Sequence, residues 1–163
     1  MERVNHSIPL VPSILDRLLD DAPEVVQEPA HSRFQNLRQL KRAVARDLEA
    51  LLNTRQEALA EVPAAFVEVS HSLLCYGLPD CTALNLLSTQ DRNRIRRALE
   101  QTIATFEPRL ERVRVTLDPP RQYERILRFR VEAVLPVQPA PEPVVFDAVL
   151  QLNTQEYMVR GHD

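Results

Sequence analysis

The hydrophobic period of this chain changes once, and it changes at a proline. Up to Phe106 apolar residues recur at three- and four-residue steps, and from Arg109 they recur at every second residue. Glu107-Pro108-Arg109 separates the two regimes. A proline disfavours the helical region for the residue before it, so Glu107 must end its helix sharply. Helices first and strands last predict an α+β fold, with N-terminal helices packed on one face of a small C-terminal antiparallel sheet.

The helical part reads as three segments. Ser13-Ile14-Leu15-Asp16 opens a short helix in which Ser13 caps and Asp16 completes a capping box. Its apolar stripe is Ile14, Leu15, Leu18 and Leu19, with Asp16, Arg17, Asp20 and Asp21 facing away. Pro23 and Pro29 bracket an acidic connector, which sets off residues 1–30 as an N-terminal arm from a single domain over 31–163. The arm helix packs either on its own domain or on a partner. A second helix over about Asn36 to Leu52 carries Leu37, Leu40, Val44, Leu48 and Leu51 on one face. Arg38, Lys41, Arg42 and Arg46 cover the other face, which is either solvated or offered to a partner. Gly77, one of 2 glycines, sits where the backbone needs positive φ or a close approach.

The clearest helix begins at Ser88, with Asp91 as its capping-box partner and Ile95, Leu99, Ile103 and Phe106 as its core stripe. Arg92, Arg94, Arg96 and Arg97 crowd its first half. Positive charge there opposes the helix dipole at about 0.3–1 kcal/mol per badly placed charge. Either a mixed solvated face or an anionic partner accounts for it.

Four strands follow. Val113, Val115 and Leu117 point one way, and Arg112, Arg114 and Thr116 the other. Tyr123, Leu127, Phe129, Val131, Ala133 and Leu135 alternate with Glu124, Arg128, Arg130 and Glu132. After a proline-rich loop, Val144, Phe146, Ala148, Leu150 and Leu152 alternate with polar residues. Asn153-Thr154 then turns into a short strand from Tyr157.

Candidate chemistry is sparse. The chain has 163 residues, 44% of them apolar and 26% charged, with a net charge of -3, which suits one soluble domain and disfavours charge-driven nucleic-acid binding. Without Trp, and with few aromatics, no stacking surface is expected. Two glycines leave no phosphate-binding loop. Neither a membrane span nor a signal peptide is read, so a cytoplasmic location with reduced cysteines is expected. The spacing of Cys75 and Cys81 beside His71 fits two half-buried thiols and a surface or capping histidine, not a metal site. His6, His31 and His162 enter no catalytic motif. Glu68 and Glu107 are candidates for a glycosidase-like pair, but nothing near them suggests a sugar groove. No catalytic, cofactor-binding or metal-binding residue is assigned, and no enzyme is expected.

The informative cluster is the corner itself. Proline holds a carboxylate and a guanidinium in fixed positions at Glu107 and Arg109. Either the two form an internal ion pair, or Arg109 binds a carboxylate or carbonyls on a neighbour.

The chain resembles the TssE family of baseplate wedge subunits of type VI secretion systems, and their relatives in contractile phage tails. The matching residues are Ser13-Ile14-Leu15-Asp16-Arg17-Leu18, the run Ser72 to Asp80 with Tyr76-Gly77-Leu78-Pro79, Phe106 to Leu110, and Val145-Phe146-Asp147-Ala148. The resemblance implies a non-catalytic structural protein, although some relatives carry a lysozyme-like label. It implies docking on the wedge core through Glu107, Pro108 and Arg109, joined by Arg112 and Arg114 on the first strand. It also implies other wedge subunits (TssF, TssG, TssK) and sheath subunits (TssB, TssC) as partners, with no nucleic acid and no membrane insertion. An exposed edge strand would then pair with strands of the first sheath ring. The rival reading is a soluble anti-adaptor-like regulator of the same fold family, forming a one-to-one complex and no polymer.

Overall fold

A computed structural model describes residues 10–19, 24, 36–56, 66–81, 84–119, 126–151 and 156–161. The connector prolines Pro23 and Pro29, Tyr123, Glu124, Leu152, the Asn153-Thr154 turn, and His6, His31 and His162 lie outside these residues.

The described helices are α1 (Ile14–Leu18), α2 (Leu37–Asn53), α3 (Val67–Ser70) and α4 (Thr89–Phe106), with one turn of 3₁₀ helix at Leu73–Cys75. The strands are β1 (Glu111–Leu117), β2 (Ile126–Leu135), β3 (Glu142–Gln151) and β4 (Glu156–Gly161). They form one antiparallel sheet in the order β1-β2-β3-β4. Both the fold class and the division into helices then strands are as the period change requires.

Register explains the core. Leu127 lies opposite Leu150, Phe129 opposite Ala148, Val131 opposite Phe146 and Ala133 opposite Val144. Every one of these side chains is buried. On the outer strands Val115 faces Val131 and Tyr157 faces Leu150. The helices cover that face: Val44, Leu48 and Leu52 of α2 and Ile95, Leu99 and Ile103 of α4 join the same apolar cluster. The other face carries Arg130 paired with Asp147, Nε to Oδ1 at 2.9 Å.

Local signals are realised with three differences. Asn36 caps α2, and Gln39 returns the bond to complete a capping box. At α4 Ser88 accepts from the Asp91 N–H, but the Asp91 carboxylate accepts from Asn85 N–H at 3.1 Å instead of closing a box. The alternation expected from Arg112 is broken there. The ladder slips between Glu111 and Arg114, and Arg112 has φ 54°, so one extra residue bulges from β1. Finally, Cys75 is buried where half-burial was expected, while Cys81 is half-buried and His71 is exposed.

Gly77 meets both conditions read from the sequence. Its φ is 107°, and a Cβ there would stand 2.5 Å from the Thr54 carbonyl oxygen. The close approach exists because Leu78 donates to Thr54 O at 2.8 Å and Gln56 donates to Leu78 O at 2.9 Å, tying this loop to the end of α2.

The crowded arginines of α4 are largely used within the chain. Arg92 Nη2 donates to the carbonyls of Leu117 and Asp118 at 3.2 and 2.9 Å. Arg96 pairs with Glu100 at 2.7 Å, and Glu100 in turn accepts from Val115 N–H at 2.9 Å. These contacts fasten α4 along the outer side of β1.

Candidate functional site

The corner between α4 and β1 is built by three residues with different tasks. Glu107 caps α4 and is only 4% exposed. Pro108 bars the helix from continuing. Leu110 N–H closes the turn on Glu107 O at 3.0 Å. This turn brings the Arg109 side chain back over Glu107. Arg109 Nε donates to Glu107 Oε1 at 2.6 Å, and Nη2 donates to Oε2 at 2.5 Å. The bidentate geometry is the one in which guanidinium and carboxylate match best.

A third partner comes from α2. Asp47 Oδ2 accepts from Arg109 Nη2 at 2.6 Å. Asp47 Oδ1 accepts from Arg46, whose Nη2 also reaches Asp16 Oδ1 of α1 at 2.7 Å. Asp16 is held in turn by Ser13, through both the backbone N–H and the hydroxyl. Thus a chain of alternating charges runs from α1 across α2 to the corner. Hydrogen bonding to Glu107 outweighs the burial that opposes the Arg109 charge, so its pKa rises above the ordinary arginine value. For Arg46, burial opposes the charge, but the hydrogen bonds to Asp47 and Asp16 prevail and raise it.

Beside this network lies a cleft of about 390 Å³. Leu15, Ala50, Leu51, Tyr76, Phe106 and Pro108 supply its apolar wall, and Ser13, Asp47, Glu107 and Arg109 its polar one. Tyr76 meets Phe106 edge-on with ring centres 5.3 Å apart. Burial, together with the charges of Asp47 and Glu107, pushes the Tyr76 phenol above its usual pKa. Phe106, read as a core residue, is half-buried and lines this cleft.

The sequence assigned Asp16 to the outside of α1, and the structure reverses this. Asp16 turns inward, its side chain 7% exposed against Arg46, while Ile14 and Leu18 are 79% and 76% exposed. A paired carboxylate and Leu15 attach α1, and most of its apolar stripe is left outside.

Of the corner residues, Glu107, Pro108 and Arg109 come together, and the Glu107–Arg109 ion pair is internal. Arg109 keeps 28% of its side chain exposed. Arg112 and Arg114 are exposed on β1 and do not line the cleft. Glu107 and Glu68 do not form a matched pair of free carboxylates: Glu107 is taken by Arg109, and Glu68 is exposed on α3. No group of three His, Cys, Asp or Glu among the described residues is placed to hold a metal. Likewise, no described helix is long and apolar enough to cross a membrane.

Sequence reasoning missed Asp47. The signal was present in its phase: it stands three residues after Val44 and four before Leu51, in the middle of the buried stripe. A carboxylate there needs a cation, and Arg109 supplies it.

The family model for baseplate wedge protein gp25 matches residues 38–140, from the first turn of α2 through the corner and β2. The chain belongs to this family. Its members are structural components of a baseplate, and the matched region contains the whole Glu107-Pro108-Arg109 corner. A solved structure titled "The baseplate complex from the type VI secretion system" contains a similar chain, at 19% identity and a TM-score of 0.46, covering 77% of this chain and 96% of that one. No curated protein matches.

Proposed function

We propose that this wedge-family chain is a non-catalytic baseplate subunit of a type VI secretion or related contractile injection machine, acting in the cytoplasm. Residues 31–163 form the wedge domain and residues 1–30 an arm. The family match over residues 38–140 carries this reading. Neighbouring wedge subunits of the TssF, TssG and TssK kinds dock at the corner, on the exposed rim of Arg109, Pro108, Arg112 and Arg114. Sheath subunits of the TssB and TssC kinds begin their first ring against the sheet by strand pairing. The sheet ends in two outer strands, and the step requires one of their margins, where Glu100 accepts from Val115 N–H and Asn53 from Tyr157 N–H, to be vacated; main-chain pairing then supplies attraction and side-chain alternation supplies register.

Arg109→Ala is a poor probe of docking, since it strands the buried Glu107 carboxylate. Arg112→Gly combined with Arg114→Ala is better, because both side chains are exposed and glycine suits the positive φ at 112. Co-precipitation with baseplate wedge subunits should weaken severalfold while the thermal midpoint holds. Undiminished baseplate incorporation and normal sheath assembly would overturn the assignment of these arginines. Recovery of a single regulator in a one-to-one complex, with no baseplate subunit, would favour the regulatory reading. Cell-wall suspensions should keep their turbidity in the presence of the protein.

A further inference from the structure

One arginine of the charged network stands between two carboxylates, and one carboxylate stands between two arginines. Arg46 Nη2 donates to Asp16 Oδ1 and to Asp47 Oδ1, both at 2.7 Å. Asp47 gives its other oxygen, Oδ2, to Arg109 Nη2 at 2.6 Å. The row Asp16, Arg46, Asp47, Arg109, Glu107 therefore alternates in sign from α1 across α2 to the corner after α4.

Sharing creates competition. Asp16 and Asp47 are like charges drawn to one guanidinium, so weakening the hold of one strengthens the hold of the other. Asp47 is divided in the same way between Arg46 and Arg109. A change at the corner thus reaches α1 with its sign reversed at each shared member. The α1 end is the one free to respond. This helix has five residues, none of them buried, and Leu15 is 52% exposed. Even so, Ser13 and Leu15 line the cleft together with Leu51, Tyr76 and Phe106.

We propose that α1 is a strap on the cleft whose hold is set by the state of Arg109. A carboxylate of a neighbouring chain that draws Arg109 from Asp47 turns Asp47 onto Arg46, loosens Arg46 from Asp16 and releases α1. Release opens the cleft at Leu51, Tyr76 and Phe106, and frees Leu15 to join the exposed Ile14 and Leu18. Linkage makes the effect reciprocal: pulling α1 away commits Arg46 to Asp47 and leaves Arg109 easier to capture. The proposal deepens the corner-docking reading above and rests on it only for the source of the carboxylate. Its test needs no partner, so either can fail alone.

Amide exchange at Arg17 and Leu19, whose N–H groups close α1 on Ser13 O and Leu15 O, reads the strap. Asp47→Asn removes the competitor for Arg46. It should slow this exchange about twofold to threefold, the range open to a partly exposed ion pair, even though it deletes a pair from the network. A merely structural loss would speed it. Glu107→Gln, Arg109→Gln leaves Asp47 to Arg46 alone, and should speed the exchange by a similar factor while β2 and β3 keep theirs. In an Arg46→Gln background both effects should vanish, because the shared member is gone. Faster or unchanged exchange in Asp47→Asn would overturn the proposal, as would effects that persist without Arg46. Should the double glutamine variant fail to fold, Asp47→Asn with and without Arg46→Gln decides the matter by itself.

Discussion

Arg109 and Glu107 are two residues apart in sequence and face to face in space, the guanidinium spanning both carboxylate oxygens at 2.6 and 2.5 Å. The pair does not stand alone, because Asp47 takes the same Nη2 from the other side. Glu107 is the better buried partner, so losing the arginine is the costlier error.

Removing Arg109 should destabilise the domain severely. Breaking a buried pair by deleting one member costs about 3–5 kcal/mol, since the remaining charge keeps its desolvation penalty. The half-exposed arginine places Arg109→Ala toward the lower end. Glu107→Gln, Arg109→Ala removes the stranded charge and should recover part of that loss. Urea unfolding midpoints of the single and double variants check this. Additive effects would mean that the two residues are not coupled.

Gly77→Ala should cost more than an ordinary loop substitution. The backbone is in the left-handed region, and the new Cβ would meet the Thr54 carbonyl oxygen at 2.5 Å. Thr54 cannot withdraw without releasing its bond from Leu78 N–H. A loss of about 1–3 kcal/mol is expected from the strain, read as a lower thermal midpoint. A midpoint within one degree of the natural chain would show that the loop moves freely.

The same contrast governs what the sequence revealed. Leu127, Phe129, Val131, Ala133 and Leu135 announced β2 and its buried face because alternation is a local signal. Asn36 announced the start of α2, and Pro108 the end of α4, for the same reason. The Glu107-Pro108-Arg109 corner was legible as a rigid bend. Its third member was not, because Asp47 and Arg109 are 62 residues apart and only the packing of α2 against the end of α4 joins them. Asn53 and Tyr157 are 104 residues apart, and no local pattern marks an asparagine that will bond to a strand's backbone. The orientation of α1 was misread because its five residues bury little, which let one ion pair to Arg46 decide which side faces inward.

Asp16→Ala should free α1 without unfolding the domain. It removes the Arg46 pair and the reciprocal half of the Ser13 box. Capping losses run about 0.5–2 kcal/mol, and the pair with the 41% exposed Arg46 adds about 1 kcal/mol. That suffices to release a five-residue helix that buries no side chain fully. Amide exchange at Arg17 and Leu19 should rise sharply, while exchange in β2 and β3 stays slow. High salt should act on the natural chain in the same direction, because Arg46 is 41% exposed.

Stability should also fall at alkaline pH, and Tyr157 should dominate that fall. Burial raises its phenol well above the ordinary value, more than for Tyr76. Below about pH 10 the phenol is protonated in both folded and unfolded chains and contributes no pH dependence. Above that point the unfolded chain releases a proton that the folded chain retains, so rising pH favours unfolding until the folded phenol also ionises. Phenylalanine at 157 keeps the ring against Phe129, where the centres are 6.1 Å apart, and removes the ionisable group. The Tyr157→Phe variant should match the natural chain in urea near pH 8 and be the more stable of the two near pH 11. Parallel loss of stability in both proteins across that interval would assign the alkaline transition to other groups, with Cys81, whose thiol burial also raises, next in line.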